Sequence, residues 1–424
     1  MSDRTIRSVK GTRDLLPPET SLWAAVERAA RRIFGLYGYG EIRTPVLEST
    51  DLFVRSVGES TDIVGKEMFT FADRKGRSLT LRPESTAAVA RAAVQHRLVA
   101  GPLPLRLYYI GPHFRYERPQ KGRYRQFRQI GAELVGDPGP TSDVEVVLML
   151  VRFLEALGFS DLEVLLNTVG DGESRTAYRE VLTRFLEPLA PQLGEDSRRR
   201  LASNPLRILD TKIPSERELI AAAPSLVDSL NRESREHFDA VCSGLDRFGV
   251  SFRIEPRLVR GLDYYTRTVF EITAAGLGSQ DAIVGGGRYD GLIESLGGPA
   301  LPGIGFAIGE DRLIETLGDG FRAARTAPEV GAVVAVGDVP ADEALALAEE
   351  LREQGVGVGA DLSGRSLKAA MKAADRRRAP FVVLLGEDEL AAGEVTVKRL
   401  ASGEQQRLAR RDLARALAAE EEIE

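Results

Sequence analysis

Apolar positions along the chain follow two textures, and the change between them divides it. Leu22, Val26, Ala29, Ile33 and Tyr37 share one face at helical spacing, and Gly38 and Gly40 end that run. Glu41–Leu47 reads as a strand with Pro45 near an edge. Met68–Asp73 and Ser78–Arg82 alternate around Arg74-Lys75-Gly76-Arg77, which predicts a hairpin, and a helix follows at Glu84–Gln95. Leu105–Ile110, Phe114–Glu117 and Tyr124–Val135 are rich in aromatic and branched residues and predict strands, with Arg118–Arg123 as the turn between the last two. A helix at Ser142–Leu157 and a strand at Glu163–Val169 follow.

From about Asp171 to Phe248 the pattern becomes charged and helical, broken at Pro188, Pro191, Pro205 and Pro224. Strand texture resumes at Phe252, Tyr264–Ile272, Ala282–Gly285 and Gly303–Ile308, with a helix from Glu310, so the intervening stretch reads as a helical insertion. Gly318–Pro328 reads as a linker. Beyond it, strands at Ala332–Val336, Val356–Ala360 and Pro380–Leu385 alternate with helices at Ala341–Glu353 and Ser366–Arg377. Two more strands, Glu394–Leu400 and Gln405–Ala409, and a final helix close the chain. Strands in runs predict an α+β body with a mainly antiparallel sheet, and strict alternation predicts a small α/β domain. The expected boundaries are 1–328, with the insertion at about 171–250, and 329–424.

Composition narrows the class. The 424 residues carry a net charge of −6, so any nucleic-acid contact must come from a local patch. The single cysteine, Cys242, excludes an intrachain disulfide framework and a multi-cysteine zinc site. No stretch approaches the roughly 18 apolar residues of a membrane span, and no apolar leader follows Met1-Ser2-Asp3-Arg4. The expectation is a cytoplasmic protein without a membrane partner.

Against that charge balance, Phe114-Arg115-Tyr116-Glu117-Arg118-Pro119-Gln120-Lys121-Gly122-Arg123-Tyr124-Arg125-Gln126-Phe127-Arg128 stands out as basic and aromatic. Guanidinium groups offer phosphate oxygens paired planar donors, and the aromatic rings offer a base a stacking face. A solvated hairpin tip explains the same residues about as well, and the flanking strands tilt the balance toward a site. In Leu258-Val259-Arg260-Gly261-Leu262-Asp263-Tyr264-Tyr265-Thr266-Arg267, the tyrosine pair is by itself more often half-buried packing than ligand contact. Ile283-Val284-Gly285-Gly286-Gly287-Arg288-Tyr289-Asp290-Gly291-Leu292 has no GxGxxG spacing and by itself reads as a tight turn. Glu84 in Leu81-Arg82-Pro83-Glu84-Ser85-Thr86-Ala87 suits a first helical turn, whereas Glu133, in an apolar strand, needs a partner.

Together these segments resemble the motifs of class II aminoacyl-tRNA synthetases in the form that histidyl-tRNA synthetases carry. The basic turn is similar to motif 2, the segment Leu258–Glu271 to the histidine-specific signature, and Gly303-Ile304-Gly305-Phe306-Ala307-Ile308-Gly309-Glu310-Asp311-Arg312-Leu313 to motif 3. Val9-Lys10-Gly11-Thr12-Arg13-Asp14, the first helix and Thr44-Pro45 resemble motif 1, which implies a homodimer. The resemblance implies that Arg115 and Arg260 flank the ATP α-phosphate, that Glu117 meets the adenine amino group, that Phe127 stacks on the adenine, and that Arg312 binds the γ-phosphate side. It implies that Glu84 and Gln129 hold the ends of histidine, that Glu133 accepts from its imidazole, that Tyr264 and Tyr265 line its pocket, and that the glycine-rich segment Ile283–Leu292 is a wall of that pocket, where backbone must approach the substrate. Gln120 and Arg123 would meet the acceptor end of tRNA(His). The second domain resembles a class IIa anticodon-binding domain, where Lys368 and Lys372 share a face with Arg376; alone, that stripe reads as a solvated face. Four residues depart from the family pattern: Ser85 where glycine is common, Arg128 where histidine is common, and Glu310-Asp311 where Leu-Glu is usual.

The implied reaction joins L-histidine to ATP as histidyl-adenylate, with Mg2+ on the β- and γ-phosphates, and passes the histidyl group to the tRNA. It needs no nucleophilic side chain, and His96, His113 and His237 are read as non-catalytic, His113 beside the site without a partner visible in the sequence. Two other readings use the same fold: a synthetase-like regulatory subunit of ATP phosphoribosyltransferase, and a dimeric kinase-regulatory or scaffold module without turnover. The motif 2 turn and the second domain weigh against the first, and intact Arg115, Glu117, Arg260 and Arg312 against the second.

Overall fold

The computed structural model describes residues 5–58, 61–120, 122–211, 213–259, 262–274, 283–326 and 330–418. The chain divides into two compact units, Met1–Arg322 and Ala323–Glu424. Among the described residues, no helix is long and apolar enough to cross a membrane.

In the first unit, helix α1 (Glu19–Leu36) buries Leu22, Trp23, Val26, Ala30, Ile33 and Phe34, the face its spacing predicts. Strands β1 (Gly40–Glu41), β2 (Leu47–Ser49), β3 (Phe69–Ala72), β4 (Ser78–Leu81), β5 (Leu105–Phe114), β6 (Gln126–Val135), β7 (Leu162–Thr168), β8 (Phe252–Ile254), β9 (Thr266–Ala274), β10 (Val284–Arg288) and β11 (Gly303–Gly309) follow in chain order. Eight of them form one sheet in the order β1-β5-β6-β11-β10-β9-β7-β8, and β2, β4 and β3 form a separate small sheet. Only the end pairs β1/β5 and β7/β8 of the large sheet are parallel, so it is mainly antiparallel as expected. One face carries the core: α1 and the long buried helix Pro140–Ala156 pack there through Phe34, Phe153, Met149 and Leu150 against Ile130, Ile304, Phe306 and Phe270.

Three local expectations are corrected. Glu41–Leu47 is not one strand: Gly40–Glu41 joins β5, Leu47–Ser49 joins β4, and between them Thr44 O accepts from Arg82 Nη1 at 2.9 Å while Pro45 has no N–H to pair. Conversely, Leu105–Phe114 is one continuous strand through Gly111-Pro112. There β1 pairs only with Leu107 and Tyr108, so the outer edge of β5 is open and a proline breaks no ladder. The segment expected as a linker holds the helix Asp319–Thr326, seated by Phe321 on the core and by Arg322 Nε on Leu317 O at 2.9 Å.

The insertion is helical: Gly172–Leu186, Glu195–Ser203, Pro214–Leu219 and Arg232–Arg247. It has its own core of Tyr178, Leu182, Leu186, Ile208 and Ile220, which continues into Tyr265, just before β9, and Val269 on that strand. The second unit is a five-stranded sheet, Val358–Ala360, Gly331–Ala335, Phe381–Leu385, Glu394–Arg399 and Gln405–Ala409 in spatial order. Its first three strands are parallel and the last two antiparallel, with helices Ala341–Glu353 and Leu367–Arg376 between them.

Candidate active site

The site grows from the face of the sheet opposite α1. At the end of β4 the buried Arg82 donates to Pro112 O and Thr44 O, both at 2.9 Å, and so fixes the chain that turns into the helix Thr86–Gln95. Glu84, just before that helix, accepts from the Thr86 and Ala87 amides at 2.7 and 3.0 Å. It is therefore the helix-start acid its position suggested, and at the same time it faces a cavity; burial pushes its carboxyl pKa up.

That cavity, about 120 Å³, is walled by Glu84, Thr86, Tyr109, Arg115, Gln129, Tyr264, Tyr265 and Tyr289, with Gly285, Gly305, Phe306 and Ala307 on the strands. The Tyr264 and Tyr265 rings lie 4.8 Å apart, and Tyr264 meets Tyr289 edge-on at 5.8 Å. Two buried polar atoms on this wall, Gln129 Oε1 and Tyr109 Oη, have no hydrogen-bond partner among the described residues. Buried acceptors and donors are normally satisfied, so this pair marks a wall built for a polar ligand.

Glycines make the floor. Gly285, Gly286 and Gly287 are not a turn: they lie within β10 and are buried. A Cβ on Gly287 would sit 2.8 Å from the Tyr265 ring, and one on Gly305 would sit 1.9 Å from Glu133 Oε2. Bare strand is what lets these side chains lie flat. Glu133, opposite Gly305 on β6, is 1% exposed and sits behind the cavity wall, bonded to Thr86 and Tyr289. Burial raises its pKa to about 8, and Glu84 adds repulsion.

Beside the cavity, the β5–β6 hairpin ends in the basic turn. Arg115 Nε donates to Pro83 O at 2.9 Å, its guanidinium stands 5.4 Å from the Phe127 ring, and Glu117 lies 4.0 Å away. Gln120 and Arg123 close the tip with paired backbone bonds of 3.1 and 2.9 Å, and both side chains are exposed. Gly122 packs toward the helix Glu310–Thr316, its Cβ position 3.9 Å from Arg312 Cα. The structure thus brings Arg115, with Glu117 and Phe127 around it, to the wall of the cavity that Glu84, Gln129, Tyr264 and Tyr265 line, and sets the start of the Arg312 helix against the tip of the same hairpin. Arg260 lies outside the described residues. Lys368 and Lys372 are in the second unit, exposed on the helix Leu367–Arg376.

The departures from the family pattern are wired together. Arg128 Nε donates to Glu310 Oε2 at 3.1 Å, and its guanidinium also pairs with Glu27. The Arg128 amide donates to Asp311 Oδ2 at 2.9 Å, while Arg13 donates to Oδ1 at 3.0 Å. Ser85 bonds His113 Nε2 at 2.7 Å, and His113 Nδ1 reaches Gly111 O at 3.0 Å. Buried beside Arg82 and Arg115, His113 has its pKa pushed far down, so the ring is neutral, Nδ1–H donates to the carbonyl, and Ser85 donates to Nε2. Sequence reasoning placed the segments of Ser85, Thr86 and Tyr289 at the site but gave none of these residues, nor Tyr109 or His113, a role of its own. The signal for Tyr289 was its place in the glycine strand, but nothing in the spacing tells of Tyr109.

A family model described as histidyl-tRNA synthetase matches residues 11–313, and one described as anticodon binding domain matches residues 332–420. The chain belongs to the histidyl-tRNA synthetase family. A histidine–tRNA ligase of Trichlorobacter lovleyi is 48% identical over 402 residues, 95% of either chain. The apo histidyl-tRNA synthetase structure from S. aureus matches with a TM-score of 0.80 at 36% identity, covering 97% of this chain and 99% of that one. A Bacillus halodurans C structure titled as an ATP phosphoribosyltransferase regulatory subunit/histidyl-tRNA synthetase matches less well, with a TM-score of 0.68 at 25% identity over 91% of this chain. As a member of the histidyl-tRNA synthetase family the chain has an antiparallel class II catalytic fold with a helical insertion, followed by the α/β anticodon-binding fold.

Proposed function

We propose that this protein ligates L-histidine to tRNA(His) in an ATP-dependent reaction through histidyl-adenylate. The observation that carries the reading is a buried polar cavity, with unpartnered Gln129 and Tyr109 atoms, opening beside Arg115 and the basic turn in a chain of this family. Glu84 would take the α-ammonium group of histidine, Gln129 the carboxylate end, and Tyr264, Tyr265 and Glu133 would serve the imidazole end. ATP would lie along Arg115, Glu117 and Phe127, with Arg312 toward its γ-phosphate. An oxygen of the histidine carboxylate attacks the α-phosphorus, the bond to the β-phosphate oxygen breaks, and pyrophosphate leaves. Arg115 and Arg260 would neutralise charge on the α-phosphate as it builds up, which is the main work in such a displacement. A ribose hydroxyl of the terminal adenosine then attacks the activated carbonyl and releases AMP.

Mg2+ would lie on the β- and γ-phosphates of ATP, the usual arrangement for a nucleotide-bound magnesium ion. Residues 1–328 would act as the catalytic domain, with the insertion at about 171–250, and 329–424 as the anticodon-binding domain. Gln120 and Arg123 would meet the acceptor end of the tRNA, and Lys368 and Lys372 would face its far end. A cytoplasmic homodimer, paired through the motif 1 region, completes the proposal.

Amino-acid-dependent exchange of pyrophosphate into ATP tests it. Exchange is expected with histidine alone from a panel of amino acids, and Arg115→Ala and Arg260→Ala are each expected to lower it by about 10²–10³-fold, the effect of removing one preorganised charge-stabilising donor. Histidine binding with no exchange for any amino acid would instead favour a regulatory subunit.

A further inference from the structure

Residues 9–13, near the start of the chain, lie against the basic turn and touch it at two places. A tight turn, closed by the Thr12 amide and hydroxyl on Val9 O at 2.9 and 2.7 Å, presents Gly11. The Gly11 carbonyl accepts from the Arg125 amide at 2.7 Å, and the Arg125 carbonyl in turn accepts from the Arg115 amide at 3.0 Å. Arg125 Nε also donates to Glu117 O at 3.3 Å. Gly11 has a φ of +89°, and a Cβ there would fall 2.8 Å from the Arg125 side chain and 2.9 Å from the Pro119 ring, so this close approach requires glycine.

The second contact is Arg13. Its guanidinium lies 4.6 Å from the Tyr124 ring and 5.6 Å from the Trp23 ring on α1, within range of a cation–π attraction. Nη1 donates to Glu19 at 3.2 Å, and Nη2 donates to Asp311 Oδ1 at 3.0 Å. The other oxygen of Asp311, Oδ2, accepts from the Arg128 amide at 2.9 Å. The buried Asp311 therefore joins three pieces of chain: the N-terminal segment, the returning strand of the hairpin and the helix that carries Arg312.

Gly11 and Arg13 reach, each through one residue, the four side chains assigned to ATP. Arg125 bonds the backbone of Arg115 and Glu117, Arg128 follows Phe127, and Asp311 precedes Arg312. Among the described residues neither Gly11 nor Arg13 bonds a residue of the cavity wall. We propose that Arg13 and Gly11 are positioning residues for ATP: the segment is a strap that holds the basic turn and the Arg312 helix at the spacing the nucleotide needs. This rests on the ATP-dependent reading given above, and it makes nucleotide binding depend on a stretch of chain that does not touch the nucleotide.

Pyrophosphate exchange on the full chain, read as KM for ATP and KM for histidine, tests the claim. Arg13→Ala is expected to raise KM for ATP by about 10–100-fold, the range for losing a hydrogen bond to a charged group and displacing what it places, with KM for histidine within about threefold. Because Arg13 reaches the Arg312 helix through Asp311, Arg13→Ala/Asp311→Asn should exceed the worse single variant by no more than about threefold. Gly11→Ala strains the other contact and should raise KM for ATP with the same selectivity. Equal rises for ATP and histidine in Arg13→Ala would mean a general loosening, and losses that multiply in the double variant would mean that Arg13 does not act through Asp311; either result overturns the proposal. So does a change in the oligomeric state of Arg13→Ala by light scattering, which would trace the loss to the pairing of copies. If Arg13→Ala does not fold, Gly11→Ala decides: a selective rise supports the strap, and an unchanged KM for ATP overturns it. Absence of exchange in the unmodified protein with every amino acid would defeat the histidine-ligase reading instead, and calorimetric titration of ATP onto the parent and Arg13→Ala would still decide the role of the strap.

Discussion

Glu133 shows how much one burial decides. Its carboxyl would titrate near 4.5 in the unfolded chain and near 8 in the fold, because burial penalises the charge and only hydroxyl bonds offset that. A raised carboxyl pKa means that the native state binds the proton more tightly than the unfolded state, so stability falls as pH rises from about 4.5 to about 8 and levels off above. Glu133→Gln lacks that proton, and its urea-unfolding free energy should decline less across this window than that of the parent. Parallel pH curves would show that Glu133 does not titrate this way. The need of Glu133 for a partner was legible from an acid in an apolar strand; the partners Thr86 and Tyr289, 47 and 156 residues away in sequence, were not. Glu84 was legible in two ways, as a helix-start acid and as a ligand group, and the geometry makes these compatible, since its carboxyl caps the helix at the edge of the cavity.

At the scale of elements, local pattern sufficed where one face is buried and one is wet, as in α1, and where a glycine-containing turn joins two short strands, as in the β3–β4 hairpin. It failed where a neighbour decided. The glycines of β10 look like a turn, yet they are a strand because they pair on both sides, with β9 and β11, and Tyr265 and Phe270 fill the space that Cβ atoms on Gly287 and Gly286 would need. Pro112 looks like a strand end, yet the edge of β5 is open there. The insertion is closed by a cap joined to a cap: Asp171 accepts from Ser174 N at 2.8 Å, Asn231 accepts from Ser234 N at 2.9 Å, and Asn231 Nδ2 donates to Asp171 Oδ2 at 2.8 Å. Asn231→Ala removes one cap and the tie between the two helix starts, and should lower stability by about 1–2 kcal/mol in denaturant unfolding. A loss under a few tenths of a kcal/mol would mean that water replaces both bonds.

Over the whole molecule, a net charge of −6 hides local positive surfaces, the basic turn in the first unit and the Lys368, Lys372, Arg376 stripe in the second. If the stripe meets tRNA phosphates, Lys368→Ala/Lys372→Ala should raise the Kd for tRNA(His) and reduce the dependence of log Kd on log salt by about 1–2, while pyrophosphate exchange stays unchanged. An unaltered salt slope would return the stripe to the solvated surface.

By itself the sequence determined the two textures, the helical insertion, the basic turn and the candidate acids and arginines, because periodicity, turn chemistry and unusual charge are local properties. It also carried the family motifs as contiguous segments. The tertiary structure alone decided what those segments do to each other: that Thr86 and Tyr289 stand between Glu133 and the cavity, that Ser85 and His113 form a neutral buried pair, and that Arg128 bonds both Glu310 and Asp311. These contacts join residues far apart in the chain, and their energies depend on burial and on which strand lies alongside, quantities that exist only once the sheet has closed its ranks.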